Sequence, residues 1–244
     1  MRGNIIITKN ISLVDEPNFG EYDKNIICDL IRNVDFVFSR CLGIEPFTSK
    51  ECVIMHNNDG PMCCNSSSGR IIFLSTKGNY WCQWIYQFAH EYCHHLIDGY
   101  MIPNFKGLFW FEETICELAS LFHLSRMWEY CIQSPQLAQY TPSVERYLSN
   151  LLTKNNGLVE SFRLGKLSPW KERLQEETYN RDLYNAIAVV MFPYFEQNPY
   201  LWKIINNFGD MKKWTSLEEL FTNLKKKATP DYAQSLNYLN KCLM

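Results

Sequence analysis

Residues Trp81–Asp98 read WCQWIYQFAHEYCHHLID, and the spacing inside this run decides how the whole chain is read. His90 and His94 stand four positions apart, with Glu91 beside the first. On an α-helix, positions i and i+4 project from one face a turn apart, so both imidazoles can reach one metal ion while Glu91 stays free to act as a base. Trp81, Trp84, Ile85, Phe88, Tyr92 and Leu96 recur at helical spacing as an apolar stripe, and Gln83, Gln87, His90, His94 and Asp98 line another side. A stripe this aromatic calls for full burial. The polar line is therefore expected to face a wet internal cleft.

A catalytic zinc typically takes three protein ligands and leaves a fourth position for water. The run Trp110-Phe111-Glu112-Glu113-Thr114-Ile115-Cys116-Glu117 supplies the missing ligand. A second helix is expected to begin near Glu112, which puts Glu113 and Glu117 on one face at i, i+4 among apolar neighbours. Two carboxylates so placed repel each other unless a cation lies beside them. Zinc bound by Glu113, with Glu117 accepting a hydrogen bond from a ligand histidine, relieves that repulsion. Glu112 is better explained by the positive end of the helix dipole. The site then holds one zinc per chain, on His90, His94 and Glu113.

In these features the sequence resembles the gluzincins, the metallopeptidase clan that includes thermolysin and the zinc aminopeptidases. Eighteen residues separate His94 from Glu113, a tryptophan precedes Glu113 by three, and Glu117 follows it by four. The resemblance covers about Gly60 to Ser120. It implies a zinc-dependent peptidase in which Glu91 activates water, and a zincin-like fold. It also implies that Met62, Cys63 and Cys64 of Gly60-Pro61-Met62-Cys63-Cys64-Asn65 lie on an edge strand whose backbone binds substrate. A tyrosine hydroxyl is implied as donor to the transition state. Tyr184 is the first choice and Tyr179 competes. The aminopeptidases carry on that strand a glutamate that holds a free amino terminus, and here the strand has no acid. Taking an ammonium into a cleft without a fixed carboxylate is costly, so cleavage within a peptide or protein chain is expected.

The rest of the chain reads as α+β. Strands are expected near Ile5–Thr8, Cys52–His56, Met62–Asn65 and Arg70–Ser75, with a helix over Tyr22–Arg40 closed by Gly43 and Pro46. Beyond Asn79 the pattern is almost wholly helical: Tyr80–Asp98, Glu112–Ser134, Ser143–Lys154, Glu177–Gln197, Ser216–Lys227 and Pro230–Cys242. We expect an α+β lobe over residues 1–110, with a small mixed sheet and the histidine-bearing helix. A helical lobe over 111–244 carries the third ligand, and the two form a single compact catalytic unit. Lys154–Pro169 is a weak boundary. His56, His95 and His123 read as structural.

Composition bounds the partners. With 244 residues, 46% hydrophobic and 15% aromatic, the chain can bury a large core. A net charge of -2 without long charge runs leaves no electrostatic footprint for nucleic acid or an anionic membrane. No apolar run approaches the roughly 18 residues of a membrane span, and MRGNIIITKN lacks a secretory core. Ten cysteines without a C-x-x-C pair read as reduced thiols, so a cytoplasmic setting is expected. The sequence is silent on oligomeric state. The competing reading is a non-catalytic zincin-fold protein that binds a partner or senses metal.

Overall fold

The computed structural model describes residues 3–45, 51–66, 69–97, 108–165, 167–176, 180–213 and 216–243. Pro46, Asp98, Glu177 and Tyr179, all invoked above, lie outside the described residues. Among the described residues, those up to Ile97 form a mixed sheet with two α-helices and those from Leu108 onward are largely helical, as the α+β reading expects.

Strand β1 (Gly3–Ile6) pairs antiparallel with β2 (Ile11–Asp15). Helix α1 (Lys24–Leu42) then carries the chain over to β3 (Cys52–His56), parallel to β2. A parallel pair needs such a crossover, because no tight turn can return the chain in the same direction. Asp23 starts α1 by accepting from the backbone N–H groups of Asn25 and Ile26 at 3.0 and 3.1 Å. Gly43 ends it in the left-handed conformation at φ 71°, which a Cβ would disfavour. The hairpin β4 (Met62–Ser66) and β5 (Gly69–Leu74) follows, with β5 parallel to β3. The strand order is β1-β2-β3-β5-β4, so β4 is an edge.

Alternation along the strands selects the core face. Ile11, Leu13, Cys52, Ile54, Ile72 and Leu74 are buried, while Ser12, Val53, Met55, Ile71 and Phe73 between them are only half-buried. Helix α2 (Trp81–Ile97) is tied to the end of β5 by Gln87. The Gln87 carbonyl accepts from the N–H groups of Ser75 and Thr76 at 2.9 and 3.1 Å, and its amide donates to Ser75 Oγ at 2.9 Å. Two glutamines expected on a wet face thus serve the chain instead, since Gln83 also accepts from Thr76 Oγ1. The physical reason is that the backbone leaving a strand needs partners, which Gln87 supplies, while Gln83 one turn earlier holds the Thr76 hydroxyl.

Helix α3 (Phe109–Gln133) is buried all round from Trp110 to Leu124 apart from Glu113, the pattern of a core helix. Then come α4 (Thr141–Thr153), α5 (Asn156–Gly165), α6 (Lys171–Glu176), α7 (Arg181–Gln197), a 3-10 stretch at Pro199–Lys213, α8 (Leu217–Lys227) and α9 (Pro230–Leu243). The expected weak boundary at Lys154–Pro169 is largely α5, which buries Val159 and Phe162. The chain divides into two compact units, residues 1–96 with 123–148 and residues 97–122 with 149–244. Among the described residues no helix is long and apolar enough to cross a membrane.

Candidate metal centre

Helical geometry alone brings the histidine pair together. The rings of His90 and His94 lie 5.2 Å apart between centroids at an interplanar angle of 63°. Glu113, in the second turn of α3, completes a group in which one donor atom from each of His90, His94 and Glu113 lies within 4.8 Å of the others. Zinc bound at about 2.0–2.1 Å to nitrogen and oxygen draws tetrahedral ligands to roughly 3.3 Å from one another, so a modest contraction closes the set. Two neutral imidazoles and a carboxylate suit a borderline cation such as zinc. The residues fit the group.

Glu91 is buried at 4% exposure, next in sequence to His90. Its surroundings include β4. The thiol of Cys63 interacts electrostatically with both His94 and Glu91, and burial pushes its pKa up to about 11. Of the three β4 residues expected to meet substrate, Cys63 is the one whose side chain shares the core face. It pairs with fully buried Ile72, whereas Met62 and Cys64 pair with Phe73 and Ile71 on the opposite face. Met62 is 48% exposed. Only backbone groups of β4 are common to all three positions, and as an edge strand β4 has one side not paired within the sheet.

Behind the histidines, Tyr92 donates its hydroxyl to Asp35 Oδ1 at 2.6 Å, a buried bond from α2 to α1. Tyr92 also stacks on Phe88 and on His95, at 5.0 and 5.5 Å. This anchoring turns the opposite side of α2, with His90 and His94, away from α1. Asp35 carries no signal in the sequence, because a single acid on an amphipathic helix reads as a solvated position.

The acids of α3 have their own support. Glu117 is buried at 7% exposure and its Oε1 accepts from the amide of Asn185, on α7, at 3.1 Å. Asn185 in turn accepts from Asn155 at 3.1 Å. Sequence reasoning did not single out Asn185, which follows Tyr184 on the same helix. Tyr184 is itself buried at 3% exposure. Glu112 lies in the first turn of α3, as the dipole argument expects.

The three other histidines are buried, His95 at 0%, His123 at 1% and His56 at 7% exposure. Burial holds the pKa of His123 down at about 3, so that ring is neutral at ordinary pH. The nine cysteines whose side chains are described are all free thiols. No family model, no curated protein and no solved structure matches the chain.

Proposed function

We propose that this chain is a zinc-dependent metallopeptidase that binds one zinc through His90, His94 and Glu113 and cleaves within an extended peptide or protein chain. The observation that carries the reading is the convergence of those three donors within 4.8 Å, with buried Glu91 adjoining the first of them. Bound zinc supplies a Lewis acid and brings the pKa of a coordinated water to about 7.

The chain's own residues do the rest. Glu91 takes the proton of the attacking water as its oxygen adds to the carbonyl carbon, and hands it to the leaving nitrogen when the carbon–nitrogen bond of the tetrahedral adduct breaks. Tyr184 donates its hydroxyl to the developing oxyanion. Met62, Cys63 and Cys64 pair their backbone with an extended substrate along the free side of β4, and such pairing favours internal bonds. Glu117 orients the ligand set from one turn beyond Glu113.

The test is digestion of a peptide library by wild type and by Glu91→Gln. The amide keeps the shape of the side chain but accepts no proton, so cleavage is expected to fall by about 10²–10⁴-fold while zinc content is unchanged. Full activity in that variant removes Glu91 from the reaction. Comparing each cleaved peptide with its amino-terminally acetylated form then sets the mode: internal cleavage tolerates acetylation, and trimming from the amino terminus does not.

A further inference from the structure

Arg70 is the residue through which the sheet holds the metal-binding helix. Its Nη1 donates to the backbone carbonyl of His94 at 3.2 Å. His94 lies on α2 one turn after His90, so a hold on its backbone is a hold on a ligand position. A guanidinium holds that carbonyl through a charge-assisted hydrogen bond, among the stronger kinds. The same side chain hydrogen-bonds the thiol of Cys63, which in turn interacts with His94 and Glu91. By strand alternation Arg70 shares the face of Ile72 and Leu74, and its backbone stands between Cys52 of β3 and Asn65 of β4. One half-buried cation therefore joins the edge strand, its neighbour β5 and the last turn of α2.

We propose that Arg70 is a positioning residue for the metal centre, acting through the His94 carbonyl and Cys63. The inference rests on the zinc reading above. Without Arg70 the backbone at His94 loses this tie to the sheet, and the His94 ring is held less firmly where metal binds. A planar fork can hold the carbonyl and the thiol together, whereas an ammonium on a flexible stem holds one of them at a time. Cys63 gives the second grip, so its removal loosens the fork without touching α2.

The experiment measures zinc affinity of the full chain by competition with a chromophoric chelator, and the visible spectrum of the cobalt-substituted protein. Both are read for wild type, Arg70→Gln, Arg70→Lys and Cys63→Ala, alongside the melting temperature of each metal-free protein. Arg70→Gln is expected to weaken zinc by about 10–100-fold, the range for groups that orient a ligand from outside the coordination sphere, and to alter the cobalt bands. Arg70→Lys and Cys63→Ala are expected to fall between it and wild type, and they carry the test if Arg70→Gln does not fold. A lower melting temperature with unchanged affinity and cobalt spectrum means that Arg70 merely stabilises the fold, and overturns the proposal. If wild type itself binds no zinc, the metal reading fails first and the proposal falls with it.

Discussion

Four of the five histidines fall into two groups with the same chemistry and different surroundings. His90 and His94 stand one turn apart beside Glu113, at the margin of burial, with a cation and a carboxylate nearby in Arg70 and Glu91. His95 and His123 are sealed among aromatic rings, His95 against Tyr92 and His123 at 4.2 Å from Phe38. Burial holds His123 in its neutral form, as a packing residue of the core. A carboxylate within reach of two imidazoles makes a ligand set. The difference lies in what each ring faces, since His94 and His95 are neighbours in sequence.

The sharpest way to break this comparison is to truncate the two neighbours in turn. His94→Ala is expected to drop zinc from one per chain to near none, with little change in the metal-free fold. His95→Ala should keep stoichiometric zinc but cost about 2–4 kcal/mol of unfolding free energy, because it opens a cavity in the core. Elemental analysis and urea unfolding read the two effects separately. Zinc retained in His94→Ala, or lost in a folded His95→Ala, would collapse the distinction.

A smaller effect is expected at the acids. Asn185→Leu removes the donor to Glu117 Oε1 and leaves that carboxylate short of a partner, so zinc affinity should fall by about 10-fold. Glu117→Ala should fall by about 10–100-fold, and the double variant should lose little more than Glu117→Ala alone if Asn185 acts through it. Additive losses would show that the two residues serve the site independently.

An effect on stability alone concerns the buried group. The folded pKa of His123 is depressed to about 3 from an ordinary 6.5, so the unfolded chain takes up that proton first. The stability it lends is complete above about pH 6.5 and drains away as pH falls towards 3. Between pH 7 and pH 5 this removes about 2 kcal/mol at roughly 1.4 kcal/mol per unit. His123→Gln should lack that share of the pH dependence in urea unfolding. Identical pH slopes in the two proteins would mean that His123 is not held neutral by the fold.

Much of this was written in local spacing. The His90–His94 interval, Glu91 between them and Glu113 at the start of the next helix are properties of helical periodicity, and α1, α2 and α3 follow from apolar positions recurring every three to four residues. The sequence by itself also determined the α+β division, since alternating runs end near Leu74 and helical ones take over. It missed β2, whose Ile11 and Leu13 are too short an alternation to stand out, and α5, which shows only Val159 and Phe162 as buried anchors. Only the tertiary structure decided the rest. Strand order made β4 an edge, and the parity of its register turned Cys63 towards His94 while Met62 and Cys64 went the other way. A period of two says that neighbours diverge, but which parity meets α2 is settled by packing. Arg70 reaches His94 across 24 residues, Asp35 reaches Tyr92 across 57 and Asn185 reaches Glu117 across 68. No local pattern encodes such pairs, because each is chosen by the cost of leaving a polar group unmatched once the chain has folded around it.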